Sequence, residues 1–247
     1  MIQTFKLTIE YDGTGFSGWQ RQPEKPTIQE ALEKVLSRIL NQPVTLAGSG
    51  RTDAGVHAWG QVASFRARTA MDPQVLKKGV NSLMKHPIVL TDCILVPEDF
   101  HAQYSAVSKE YHYHILNRID PCAVGRNYVW HIHTPLDIDA MNVCCAMMCG
   151  AHDFKSFENK GSQRSSTLRT VFMARVDRQE QDRLVFKICA SGFLKNMVRN
   201  LTGSLVDAGQ KKISPRQFEQ ILAGRDRSLA GATAPAGGLF LKQVNYR

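Results

Sequence analysis

The sequence predicts an α+β protein of two halves, each with the element order β-α-β-β-α-β of ferredoxin-like and RRM-like units. Three observations predict it. Segments that alternate apolar and polar residues are interleaved with segments whose apolar residues recur at helical spacing. The two kinds of segment fall in the same order twice, although the halves share no visible sequence identity. A chain of 247 residues suits two units of about 100–150 residues, each with its own core. The expected halves are 1–105 and 106–247, with the junction between Val96 and Lys109.

In the first half, Phe5, Leu7, Ile9 and Tyr11 alternate and read as a strand. Met1 leads into it without a charged-then-apolar leader, and no apolar run approaches the ~18 residues that span a bilayer. The expected location is the cytoplasm. Thr27 and Glu30 form a capping box before an amphipathic helix. Its apolar stripe is Ile28, Leu32, Val35, Leu36, Ile39 and Leu40, and Asn41 with Pro43 stops it. Strands are expected at Val44 to Ala47 and Gln61 to Ala67. Asp72-Pro73 opens a second helix with Val75, Leu76, Val80, Leu83 and Met84 on its buried side. Ile88 to Val96 closes the half as a strand.

The second half starts with Tyr111, Tyr113 and Ile115 alternating on a strand. Asp137 to Met148 makes a helix. Thr170 to Val176 and Leu184 to Ala190 make an antiparallel pair around Glu180-Gln181-Asp182. Phe193 to Val206 reads as a helix, Pro215 to Leu222 as a short one, and Leu239 to Tyr246 as the last strand.

Composition narrows the function. A hydrophobic fraction of 43% with 21% charged residues excludes a disordered chain. The net charge of +9 favours a polyanionic partner. No run of five like charges occurs, so folding must assemble any basic surface. Lys155 to Arg169, with Lys160 and Arg164 between, is a candidate phosphate-touching loop or a plain solvated one. Six cysteines fit no small disulfide scaffold. Cys144, Cys145, Cys149 and His152 invite a metal reading, but no second ligand pair at zinc-like spacing accompanies them. Val143, Ala146, Met147 and Met148 around them look like a buried helix face. No metal and no other cofactor is expected.

The segment that carries chemistry is Gly48-Ser49-Gly50-Arg51-Thr52-Asp53-Ala54-Gly55-Val56-His57-Ala58, between two strands. Its glycines permit sharp turns and close approach to a ligand. Arg51 and Asp53 flank Thr52, so an extended backbone would point both to one face. A carboxylate there suits a nucleophile, and a planar cation beside it suits phosphate or a base. On these residues alone, an Asx-turn Asp with a solvated Arg is the favoured reading.

This segment, continued by Gly60-Gln61-Val62, resembles the active-site signature of the TruA-type tRNA pseudouridine synthases. Further motifs fit in the family's order. They are Tyr11-Asp12-Gly13-Thr14 with Gly18-Trp19, Phe100-His101-Ala102, Lys109-Glu110-Tyr111-His112-Tyr113, Phe193 to Asn200, and Ala234-Pro235 with Gly238-Leu239. The resemblance thus covers essentially the whole chain. It implies that the two halves join in one largely antiparallel sheet with a central catalytic cleft.

The resemblance also implies an isomerase that needs no cofactor and converts uridine to pseudouridine in the anticodon arm of tRNA. The implied targets are positions 38, 39 and 40, gripped by a homodimer. Asp53 matches the family's catalytic aspartate, which attacks the base or the ribose or acts as a base. Arg51 matches the arginine that takes the flipped-out base's place. Arg199 matches the cation paired with the aspartate, Tyr111 the tyrosine that stacks on uracil, and Leu239 an apolar pocket residue. From periodicity alone, Tyr111 is an inward-facing strand residue, Arg199 lies on a helix's outer face, and Leu239 is a core leucine. Gln103 departs from the family, which usually has Arg there. Alternation on strands accounts for the pairs His112/His114 and His131/His133.

Two rival classes remain. A catalytically silent RNA-binding protein would have no need of Asp53, and the chain lacks the aromatic-rich pattern of an ordinary RNA-recognition motif. A metal-dependent nuclease using Asp53, Asp12 and a His would need a clustered carboxylate set.

Overall fold

The computed structural model describes residues 2–161, 166–180 and 182–247. Arg164 of the basic stretch and Gln181 of the turn therefore lie outside the described residues. Contacts divide the chain into two compact units, Met1–Val107 with Phe240–Arg247 and Ser108–Leu239. The fold class is α+β.

The first unit holds strands β1 (Ile2–Tyr11), β2 (Ala47–Gly48), β3 (His57–Arg68) and β4 (Ile88–Val96) with helices α1 (Ile28–Leu40) and α2 (Pro73–Leu83). Strand β1 is central, antiparallel to both β3 and β4. The other edge of β3 is shared by β2 and by the last strand, β10 (Leu239–Tyr246), which runs parallel to it with Phe240 opposite His57. Phe5, Leu7 and Ile9 are fully buried, and the Phe5 ring stacks on Phe65 across the register at 5.0 Å.

Helix α1 buries Ile28, Leu32 and Leu36 completely, each burial contributing about 2 kcal/mol at most. The Thr27 hydroxyl accepts the Glu30 N–H, but the reciprocal arm of the expected box is not formed. The Glu30 carboxylate instead pairs with Lys34 one turn on, at 2.7 Å. Helix α2 starts as expected, with Asp72 Oδ1 accepting the N–H groups of Gln74 and Val75. Its buried stripe is narrower than expected. Leu76 and Val80 are buried against β4 and α1, while Val75 and Leu83 are exposed.

Residues 44–46 do not form the expected strand. Their ladder groups are taken by side chains of α1: Ser37 Oγ accepts the Val44 N–H, Glu33 Oε1 accepts the Leu46 N–H, and Gln29 Nε2 donates to the Leu46 carbonyl. Only Ala47–Gly48 reaches β3. Strand β3 begins four residues earlier than periodicity suggests, so His57 belongs to the strand.

The second unit has the sheet order β5-β9-β8-β7, antiparallel throughout, from β5 (Ala106–Asn117), β7 (Gly150–Asp153), β8 (Leu168–Arg178) and β9 (Arg183–Ala190). A short β6 (Trp130–Ile132) lies parallel to the end of β5. Strands β6 and β7 were not legible in the sequence. His131 lies on β6, whereas His133 falls beyond it.

Tyr113, Ile115, Leu184, Phe186 and Ile188 are fully buried. Helices α3 (Ile138–Met147), α4 (Met197–Gly209) and α5 (Pro215–Gly224) pack on one another, with α3 also on β8. Helix α4 starts at Met197 rather than Phe193, because Asn196 adopts φ 61°, outside helical space. In α3, Met141, Cys144 and Cys145 are buried, and burial pushes the Cys144 thiol up to about 11. Cys149 is exposed beyond the helix end. Among the described residues no group of three His, Cys, Asp or Glu stands together for a metal ion, and no helix is long and apolar enough to cross a membrane.

The described ends of the basic stretch belong to short elements. Lys155–Phe157 is a 3-10 turn, Lys155 pairs with Glu158 at 2.8 Å, and Arg169 already lies in β8.

Candidate active site

The residues singled out from sequence fall into two sets. Arg51 and Asp53 lie in the first unit, and Tyr111, Arg199 and Leu239 in the second.

The Asp53 loop joins β2 to β3 and is anchored from beneath. Thr52 is buried, while Arg51 is exposed and Asp53 half-buried, so the side chains alternate about Thr52. The Thr52 hydroxyl lies 2.8 Å from Tyr11 Oη, on β1. Gln61 on β3 extends the chain of contacts: its Nε2 lies 3.5 Å from Tyr11 Oη and donates to the Gly50 carbonyl at 3.1 Å. Gln61 Oε1 accepts from Ser49 Oγ at 2.7 Å and from the Val62 N–H. Tyr11, Ser49 and Gln61 are within 3% of full burial, so no water competes for these bonds. Burial pushes the Tyr11 phenol up to about 12, against the pull of its bonds to Thr52 and Gln61, and it stays a donor.

The backbone is fixed as tightly. The Trp19 N–H donates to the Thr52 carbonyl at 3.1 Å, and the Val56 N–H to the Asp53 carbonyl at 3.1 Å, closing a turn in which Gly55 takes φ 77°. Only glycine holds that left-handed conformation without strain. Arg51 Nε donates to Gln20 Oε1 at 3.1 Å. His57 Nδ1 lies 3.0 Å from the Gly13 nitrogen and 2.9 Å from Asp12 Oδ1, and its ring stacks on Phe240 at 4.6 Å. His57 is thus a buried anchor of the turn at Asp12-Gly13. A carboxylate presented on such a loop is preorganised, because ordering it costs nothing further when a ligand arrives.

In the second unit, Tyr111 is a buried residue of β5 whose ring meets Phe193 edge-on at 5.0 Å. Two positions along, Tyr113 Oη donates to the Pro235 carbonyl at 2.7 Å. Burial raises the Tyr113 phenol far above its ordinary value, with the Arg199 charge pulling it down. Arg199, in the first turn of α4, is not the outward-facing arginine that helical spacing alone suggests. Its Nε donates to the Ala234 carbonyl at 2.7 Å, and the Ala234 N–H donates back to the Arg199 carbonyl at 3.2 Å. Leu239 is 5% exposed at the start of β10.

Sequence reasoning quoted Tyr11, Trp19, Gln61 and Asn200 inside motifs without giving them a task, and it passed over Arg227. Their signal is a set of long-range hydrogen bonds, to Thr52 for Tyr11 and Trp19, to Gly50 for Gln61, and to residues 157–159 for Asn200 and Arg227, which becomes visible only with the coordinates.

The first set supplies one carboxylate and one guanidinium, and the second a guanidinium, an aromatic ring and an apolar side chain. The profile of the family described as tRNA pseudouridine synthase matches residues 7–105 and 144–247, including Arg51, Asp53, Arg199 and Leu239. The tRNA pseudouridine synthase A of Clostridium acetobutylicum is 38% identical over 245 residues, covering 99% of this chain and 100% of that one. Its namesake from Thermoanaerobacter sp. strain X514 is 41% identical, with 99% and 100% covered. That of Methylacidiphilum infernorum is 42% identical, with 98% and 95% covered. This chain belongs to the tRNA pseudouridine synthase family, whose members isomerise uridine to pseudouridine.

Proposed function

We propose that this chain, as a homodimer, isomerises uridines at positions 38, 39 and 40 in the anticodon arm of tRNA, with Asp53 as the nucleophile. The observation that carries the reading is the Asp53 loop. Its backbone and its buried Thr52 are tied down on both sides of the carboxylate, which leaves the Asp53 side chain as the reactive feature of an otherwise fixed segment. Relatives that share 38–42% identity over the whole chain carry the name of a tRNA enzyme, and the net charge of +9 suits a polyanionic substrate.

The chemistry divides among the residues as follows. Arg51, planar and exposed, enters the space of the target base once that base has left the stack. Tyr111 stacks on the uracil ring, and Leu239 lines the same pocket. Arg199 serves as the cation that pairs with the Asp53 carboxylate. Asp53 bonds to the nucleoside, the bond between N1 and the ribose C1′ breaks, and the uracil turns within the site. The bond from C5 to C1′ then forms, the bond to Asp53 breaks and returns its electron pair to the carboxylate, C5 loses its hydrogen as a proton, and N1 takes one up. Substrate and product are isomers, so no oxidant, reductant or external nucleophile enters the balance.

The test of the target positions is a set of unmodified tRNA transcripts that carry uridine at 38, 39 or 40. Each is incubated with the protein and read by reverse transcription after carbodiimide labelling of pseudouridine. Stops at those three positions and nowhere else are expected. Stops confined to another arm would refute the assignment.

A further inference from the structure

Arg227 lies outside every motif discussed above, yet its guanidinium is the most completely engaged group described in the second unit. Nε donates to Asn159 Oδ1 at 2.9 Å. One Nη donates to the carbonyls of Ala230 and Gly231 at 3.1 and 3.0 Å, and the other to Asn200 Oδ1 and Thr233 Oγ1, both at 3.0 Å. Five contacts use all five donors that a guanidinium has. None of the acceptors is a carboxylate, so the group serves geometry rather than charge pairing. Burial accordingly pulls its pKa below the ordinary value.

Three of those acceptors, on Ala230, Gly231 and Thr233, belong to one segment, residues 230–235, that crosses α4, and a fourth is Asn200 on α4 itself. Asn200, fully buried on α4, donates to the Phe157 carbonyl at 2.8 Å and to Asn159 Oδ1 at 3.0 Å, while its Oδ1 accepts from Thr233 Oγ1 at 2.6 Å. Ser204 Oγ accepts the Gly231 N–H at 2.9 Å. The segment lies so close to the helix that a Cβ on Gly203 would stand 1.8 Å from the Ala232 carbonyl oxygen. It ends in two consecutive carbonyls with different duties: Ala234 accepts from Arg199 Nε, and Pro235 accepts from Tyr113 Oη.

We propose that Arg227 is a positioning residue of this enzyme: by locking segment 230–235 onto α4 it sets the Ala234 carbonyl, and through it the orientation of the Arg199 guanidinium. The inference rests on the role given to Arg199 under the proposed function. Arg227 itself meets no substrate in this account. A lysine in its place keeps the charge but offers three donors from one atom and cannot span acceptors on 159, 200, 230, 231 and 233. The segment would then loosen at its middle, and Arg199 would lose its fixed Nε anchor.

The experiment measures single-turnover rate, tRNA affinity and melting temperature for Arg227→Lys, for the milder Thr233→Val, for Arg199→Ala, and for each of the first two combined with Arg199→Ala. We expect Arg227→Lys to slow turnover by about tenfold or more, with tRNA affinity unchanged within about twofold, since small misplacements of a catalytic group are costly. In the Arg199→Ala background the same change should slow turnover by less than about twofold, because the group it positions is gone. Thr233→Val should show the same pattern at smaller size, and it keeps the test open if Arg227→Lys fails to fold. An equal slowing with and without Arg199 would overturn the inference and leave Arg227 a purely structural residue. Full turnover by Arg227→Lys and Thr233→Val, alongside a slow Arg199→Ala, would overturn it while sparing Arg199. Full turnover by Arg199→Ala would refute the role of Arg199 itself, and the inference with it.

Discussion

Replacing Tyr11 by Phe removes one oxygen atom from beneath the Asp53 loop and leaves the ring, its volume and its place beside Trp19 intact. The lost contacts are the 2.8 Å bond to Thr52 Oγ1 and the longer 3.5 Å approach of Gln61 Nε2. Gln61 keeps its bond to the Gly50 carbonyl, so the principal casualty is the Thr52 hydroxyl, on a residue only 6% exposed. Leaving one buried neutral group without its partner costs about 1–3 kcal/mol. A central value of about 1.5 kcal/mol, at roughly 2–4 °C per kcal/mol for a chain of this size, lowers the melting temperature by about 3–6 °C.

The same tether holds the residue next to Asp53. Turnover should therefore fall by about tenfold, since the Trp19 N–H bond to the Thr52 carbonyl still limits the displacement. The assay pairs thermal melting with single-turnover kinetics on Tyr11→Phe, Thr52→Val and the double variant. Because both single changes break one bond, the double variant should lose little more than either. A Tyr11→Phe protein that melts within 1 °C of the parent (about half a kcal/mol or less) and turns over at the parental rate would refute the reasoning.

Two further outcomes are expected. Arg51→Lys keeps the charge but loses the planar face, so turnover should drop about a hundredfold while tRNA affinity stays within about twofold; near-parental turnover would reduce Arg51 to a phosphate contact. Burial, with His112, Arg183 and Lys187 adding to it, lowers His114 from 6.5 to about 4. Between those values the unfolded chain binds the extra proton, so stability is full above about pH 6.5 and falls as pH drops toward 4. The fall is at most about 3 kcal/mol from this group, and His114→Phe should flatten it in denaturant titrations across that window; an unchanged slope would show that His114 is not the source.

The sequence made legible whatever is governed by local pattern. Phe5, Leu7 and Ile9 alternate and are buried; Ile28, Leu32 and Leu36 line one helix face; Asp72-Pro73 opens a helix by local capping chemistry alone. It failed where a distant partner decides. Val44 and Leu46 have the look of a strand, but Ser37 and Glu33 of α1 take their N–H groups first. His57 reads as loop until Phe240 pairs with it from the far end of the chain. The three- and four-residue strands β6 and β7 are too short to show a period.

The candidate site divides in the same way. Asp53 and Arg51 announce themselves by a dense motif, whereas the supports beneath them do not. Tyr11 alternates like any core strand residue, and nothing in local spacing marks its hydroxyl. Arg227 opens a three-residue 3-10 turn and its partners are 3 to 68 residues away, so only folding identifies it.

The most direct test uses tRNA transcript labelled with tritium at C5 of uridine. Joining C5 to the ribose expels the hydrogen that C5 carried, so the protein should release tritium to water, one equivalent per pseudouridine formed, with chelator and without added nucleotides. Asp53→Asn keeps the size of the side chain and removes the anion. It should bind tRNA at least as well as the parent, having lost one negative charge, and release no tritium above background. Release that persists in Asp53→Asn, or a parent protein that binds tRNA tightly and releases none, would contradict the account.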